Sequence, residues 1–195
     1  MHCFSECGYD GTSIRMIAQR AGRPLSLIGH HFGGKEGLYL EVFRYLTSRT
    51  FAALGEGEMT PLRNRQEAIR VFRELIHALY AEVCPQDPVR DEQQRIGRRL
   101  LLSEMRDPRP EILELIQKQL QPWVDRLKAS IQVLRPDLSD SEVILLGKSI
   151  MSQVTSQTLL EGVSVAIWGK HNLSAFQSAE LLTEFNLQGL GVSSR

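Results

Sequence analysis

The chain has 195 residues, 42 % of them hydrophobic, with 23 Lys and Arg balanced by 23 Asp and Glu. It is long enough to bury a full core, and its zero net charge rules out overall positive charge as a means of binding nucleic acid. No run reaches the roughly 20 apolar residues of a spanning helix. Residues 1–20 hold no secretory-type apolar segment, and Cys3, Cys7 and Cys84 make an odd set without framework spacing; a reduced, cytoplasmic setting is expected.

The N-terminal quarter has a slight positive excess. Residues 1–55 carry Arg15, Arg20, Arg23, Lys35, Arg44 and Arg49 against Glu6, Asp10, Glu36 and Glu41. Met1–Glu6 reads as the tail of a helix whose core residue is Phe4, closed by Gly8 as a C-cap would close it. Thr12 or Ser13 then caps a short helix, whose Ile14, Ile17, Ala18 and Ala21 recur at helical spacing. Gly22 permits a sharp turn. Pro24 starts a second short helix, where its missing N–H costs little. Leu25, Ile28 and Phe32 should face the core; Ser26, Leu27, Gly29, His30 and His31 include the outward surface. Two short helices across a Gly-containing turn form a helix-turn-helix, whose second helix can enter the DNA major groove. Gly29 is a poor helix former, by roughly 1 kcal/mol against Ala; close approach to DNA and simple tolerance explain it equally well.

Gly33-Gly34 ends this helix and Lys35-Glu36 opens a long one, with Leu38, Val42, Tyr45 and Leu46 along one side. Lys35 is ill matched to the positive end of the helix dipole, a mismatch that a bound phosphate would relieve. Gly55–Thr60 is a loop, and Thr60-Pro61 reads as the cap and first residue of a helix striped by Ile69, Phe72, Leu75, Ile76, Leu79 and Val83. Asp87-Pro88 opens a helix marked by Ile96, Leu100, Leu101 and Met105. Its Arg95, Arg98, Arg99 and Arg106 suit a solvated face better than an anion site. After Asp107–Pro110 a further helix runs from Ile112 to Leu134, with a kink or split expected near Gln119–Gln121 because of Pro122. Ser139–Glu142 and Ser174–Gln177 have capping-box patterns. Residues 143–169 contain only Lys148 and Glu161 as charges, which predicts a helix buried nearly all round. Its many Ser, Thr and Gln suit a protein interface or cavity wall rather than lipid. Leu181, Leu182, Phe185 and Leu190 mark the last helix, and two late helices could pair with their copies as a four-helix bundle.

Gly8–Gly22, followed by His30-His31-Phe32-Gly33-Gly34-Lys35-Glu36-Gly37-Leu38-Tyr39, resembles the TetR-type transcriptional repressors over about residues 4–46. Leu102–Pro108, Gln119–Leu127 and Leu187–Leu190 are similar, less specifically, to the CecR-type subgroup. The resemblance implies a helix-turn-helix in a dimer, with a ligand-responsive helical domain behind it. It implies that Thr12 and Lys35 touch phosphates, and that Arg23, Leu25, Ser26, Leu27, Gly29, His30 and His31 occupy the recognition helix and its approach. Pro24 departs from the family's usual Ser/Thr-type cap. Most of the family's first helix is absent, so a natural start upstream, or a shortened chain, is expected.

Other chemistry is poorly supported. His2, Cys3 and Cys7 lack the fourth ligand of a closed zinc site. His30 and His31 point about 100° apart on a helix and share a metal badly. Cys84 has no ordered base beside it in sequence, and Gly33-Gly34-Lys35 lacks the context of a phosphate loop. No metal, cofactor or catalytic set is expected. Phe72, Leu101, Met105, Trp123, Met151 and Trp168 could line an effector pocket, though core packing explains each more simply. The expectation is therefore an all-α protein with a DNA-binding head at 1–46 and an effector-binding, dimerising body at 47–195. It would act as a homodimeric repressor, joined through its last two long helices and released from operator DNA by a small molecule. The alternative is a helical dimeric interaction or ligand-binding module whose shortened head binds no DNA.

Overall fold

The computed structural model describes residues 1–55, 60–83, 88–104 and 108–192. Its described residues form ten helices and no strand: α1 (His2–Cys7), α2 (Ile14–Ala21), α3 (Leu25–Phe32), α4 (Lys35–Gly55), α5 (Arg65–Val83), α6 (Pro88–Glu104), α7 (Pro110–Leu134), α8 (Asp140–Leu159), α9 (Glu161–Trp168) and α10 (Ala175–Gly189). The all-α reading holds. The chain divides into two compact units, residues 1–52 with 87–119, and 53–86 with 120–195.

The first unit has a core drawn from distant parts of the sequence. Phe4 of α1, Tyr39, Val42, Phe43 and Leu46 of α4, Ile96 and Leu100 of α6, and Ile112 of α7 form one buried cluster. Aromatic rings make much of it. Tyr39 meets Phe4, Tyr9 and Phe43 edge-on at centroid distances of 4.8, 4.9 and 5.1 Å, a favoured geometry for such pairs. The buried face of α4 therefore differs from the expected one. Val42 and Leu46 lie on it, but Tyr39 and Phe43 complete it and Tyr45 is exposed.

A polar knot closes this core. Glu104, at the end of α6, is buried; it accepts a hydrogen bond from the Tyr39 hydroxyl at 2.7 Å and one from the Arg109 backbone N–H at 3.2 Å. The Arg109 guanidinium pairs with the same carboxylate and lies 4.0 Å from the centroid of the Tyr9 ring, a cation–π arrangement. Burial, and then the bond to Glu104, push the Tyr39 hydroxyl well above the ordinary phenol range.

In the second unit, α5 buries Ala68, Val71, Phe72, Ile76, Leu79 and Tyr80. It begins at Arg65 rather than at the expected Thr60-Pro61, because the Asn64 side chain caps it by accepting the Glu67 N–H at 2.9 Å. The Trp123 indole donates to the Leu75 carbonyl at 3.2 Å, joining α7 to α5. Arg73 pairs with both Glu180 and Glu184, tying α5 to α10. Both capping boxes form, at Ser139–Glu142 and Ser174–Gln177. Ser139 draws the Glu142 carboxyl below its usual range, and Arg135 pulls Asp137 down to about 2.

Helix α7 is not split at Pro122. One expectation fails here. Residues 143–169 are two helices, interrupted at Leu160, and they are not buried all round: Leu145, Val163 and Ile167 are exposed. In α10 the apolar residues read from the sequence divide between core and surface, and Leu190 is buried. The side chains buried there are Ser178, Ala179, Thr183, Asn186 and Leu187, while Leu181 and Phe185 are 61 % and 65 % exposed.

Candidate nucleic-acid interface

The helix pair α2–α3 is built by its local sequence. The Ser13 hydroxyl accepts the Met16 N–H at 3.1 Å and starts α2. Gly22 takes the left-handed conformation at φ 61° and returns its N–H to the end of the helix. Two residues later Pro24 stands at the N-cap of α3, without a side-chain cap bond. Gly33 closes α3 at φ 68°. Gly37 is required for packing: a Cβ there would overlap the Phe32 carbonyl oxygen. Gly37→Ala should therefore cost about 1–3 kcal/mol, the range for overpacking, and displace the end of α3. A melting temperature equal to the parent's would contradict this.

Within α3 only Ile28 is buried. Leu25 and Phe32, expected in the core, are 41 % and 37 % exposed, because an eight-residue helix held by one buried side chain cannot seat both flanking positions. Ser26, Leu27, Gly29, His30 and His31 are exposed as well. A Cβ on Gly29 would meet nothing within 4 Å, so no internal packing demands that glycine.

The cations sort into two groups. Arg20 is committed to Glu6, with contacts of 2.5 and 3.0 Å, and Arg44 pairs with Glu41. The Arg20 bond holds the Glu6 carboxyl below its usual range. Arg15 and Arg23 are exposed and have no ion pair among the described residues. The sequence alone does not single out Arg15. Its one available signal is its outward position on α2, which it shares with the internally paired Arg20.

Lys35 opens α4 half-buried. Its ammonium lies 4.3 Å from the Tyr9 ring centroid and 3.4 Å from the Asp10 carbonyl oxygen. Lys35 and Arg109 thus share one tyrosine ring. Thr12 turns inward: it is 2 % exposed, and its hydroxyl is shared between the Cys3 and Gly8 carbonyl oxygens at 3.0 and 2.6 Å. The expected Thr12 phosphate contact does not fit this placement. The hydroxyl instead ties the end of α1 to the start of α2.

The six residues considered for an effector pocket fall in different surroundings. Phe72 and Trp123 are core residues of the second unit, and Met151 is half-buried there. Leu101 is half-buried in the first unit, and Trp168 is 85 % exposed. Met105 and Cys84 lie outside the described residues. Among the described residues no group of three or more His, Cys, Asp or Glu is placed to hold a metal, and no helix is long and apolar enough to cross a membrane.

Residues 1–42 match the family described as bacterial regulatory proteins, tetR family. The HTH-type transcriptional repressor AcnR of Corynebacterium glutamicum is 37 % identical over 54 residues, which are 28 % of this chain and 29 % of that protein. An HTH-type transcriptional repressor of Mycobacterium tuberculosis is 32 % identical over 76 residues, 39 % of this chain and 36 % of its own length. The chain thus aligns with less than two fifths of each of these curated relatives. In fold it is similar to PfmR, a TetR family transcriptional regulator of Thermus thermophilus, with a TM-score of 0.58 at 19 % identity, covering 98 % of this chain and 91 % of that one. A mutant of HlyIIR matches with a TM-score of 0.57 at 20 % identity, covering 93 % of this chain and 88 % of that one.

Proposed function

We propose that this chain, a TetR-type regulator by its head and its fold, binds operator DNA as a homodimer and represses transcription until a small-molecule effector releases it. The observation that carries the reading is α3, whose Ser26, Leu27, Gly29, His30 and His31 all face solvent. In this role α3 enters the major groove, while Arg23, Arg15 and Lys35 contact phosphates. Leu25 flanks the side of α3 that faces the protein, beside buried Ile28. Thr12 acts by positioning α2.

The homodimer is supported by α8 and α10, which leave Leu145, Leu181 and Phe185 exposed. Large apolar patches on soluble proteins mark interaction sites, and a twofold axis would pair these helices with their copies. The effector site belongs to the second unit, with Phe72, Trp123 and Met151 as candidate walls. Release works by population shift. An effector that binds more tightly when the two recognition helices no longer match grooves ~34 Å apart draws the dimer off DNA. One that binds both states equally shifts nothing. A cytoplasmic location accords with this role.

The test is binding of the chain to DNA upstream of its own gene, by fluorescence anisotropy at two salt concentrations. Specific binding that weakens with salt is expected. His30→Ala should weaken specific more than non-specific binding; Lys35→Ala should weaken both and flatten the salt slope. A folded dimer that fails a genome-wide binding selection would overturn the reading in favour of an interaction module without DNA.

A further inference from the structure

We propose that this protein reads its operator largely through thymine methyl groups, and that Leu27 is the side chain that touches them. The inference rests on the DNA-binding reading above and adds the chemistry of the base contact.

Base pairs are distinguished in the major groove by a small set of side chains. Arg and Lys bind guanine, Asn and Gln bind adenine, Asp and Glu accept from cytosine, and apolar groups meet the thymine methyl. Helix α3 reads Leu-Ser-Leu-Ile-Gly-His-His-Phe. It contains none of the six charged or amide residues on that list. Its outward surface can offer one hydroxyl, two imidazoles and apolar carbon. A sequence reader so equipped cannot make a bidentate contact to guanine or adenine from this helix.

The geometry selects Leu27 over the other exposed apolar residues. Ile28 is the buried anchor and fixes the inward direction of α3. At ~100° per residue, Leu25 and Phe32 fall within about 60° of Ile28, flanking the side that faces the protein. Leu27 lies about 100° away, on the outer half with Ser26 and His30. His30 is one turn further along the same side, at i+3 from Leu27. Gly29 supplies bare backbone on the opposite flank, with open space where its Cβ would be, so the helix can sit close to the base edges. Leu27 is 38 % exposed, and it loses that exposure when it packs on a methyl group in the groove. The half-site predicted is a thymine for Leu27 next to a purine whose N7 pairs with His30.

The experiment starts with the full chain and an operator obtained by selection from random duplex DNA. Each thymine is then replaced singly by deoxyuridine, which removes the 5-methyl and keeps base pairing. At one position per half-site the affinity should fall about fourfold, the worth of one buried methyl, and about fifteenfold when both half-sites are changed. Leu27→Ala should bring the thymine-to-uracil ratio at that position to within twofold, while Leu25→Ala keeps the parent ratio. Circular dichroism confirms that both variants are folded. The proposal is overturned if every uracil substitution stays within twofold, if Leu27→Ala retains the parent ratio, or if Leu25→Ala alone abolishes it. A selection that enriches no sequence overturns the DNA-binding reading itself, and this one with it; enrichment without a uracil effect overturns only the methyl readout.

Discussion

Replacing Glu104 with alanine should lower the stability of the first unit by about 2–4 kcal/mol, in a protein class whose total stability is about 5–15 kcal/mol. Breaking a buried pair by removing one partner costs about 3–5 kcal/mol. The lower figure fits here because the Arg109 side chain is partly exposed and water can take over part of its solvation. The Tyr39 hydroxyl is shielded from water. It lies in the core and would lose its 2.7 Å acceptor, a loss of about 1–3 kcal/mol by itself. Urea unfolding should show a lower midpoint with an unchanged slope. Glu104→Gln should fall between, since it keeps the shape and an acceptor but not the charge. The same variants test a link to DNA. Arg109 and Lys35 both lie against Tyr9, so freeing Arg109 should loosen Lys35 and weaken DNA binding at temperatures where the protein remains folded. Equal midpoints for parent and Glu104→Ala would refute the account of the knot.

On the proposed dimeric reading, Leu181→Asp combined with Phe185→Asp should yield a monomer and reduce operator affinity by about a hundredfold or more. Two heads held together bind their half-sites with a shared effective concentration, and gains of about 10²–10⁴ come from that linkage alone. Both side chains project from α10 on the side away from its buried Ala179 and Thr183. The intrachain contacts of α10, including the Arg73–Glu180 and Arg73–Glu184 pairs, are left in place. Sedimentation velocity reads the mass, and anisotropy reads the affinity. A double variant that sediments as a dimer would show that the two copies meet elsewhere.

Local features were legible in the sequence and distant ones were not. The capping boxes at Ser139 and Ser174 and the turn at Gly22 are each fixed within four residues and appear as read, and of the two candidate caps for α2, Thr12 and Ser13, Ser13 takes the role. The buried face of α4 was ambiguous. Leu38, Tyr39, Leu40, Val42, Phe43, Tyr45 and Leu46 offer more than one stripe at helical spacing. Ile96, Leu100 and Ile112, which decide between them, lie fifty or more residues away. The inward turn of Thr12 was illegible for a similar reason: its hydroxyl is satisfied by a carbonyl nine residues earlier. In α10 the difficulty was of another kind. Apolar periodicity marks a surface to be covered, and it does not say whether the cover comes from the same chain or from a second copy.

The first unit has a consequence for anyone who would transplant it. Its core is closed by Ile96, Leu100 and Ile112, and its knot by Glu104 and Arg109. Cutting after α4 to graft the helix-turn-helix alone onto a foreign sensor would strip the cover from Phe4, Tyr39 and Phe43. The natural seams for recombination are therefore three, near residues 52, 86 and 119, and a chimera would have to carry both stretches and replace what lies between and after them.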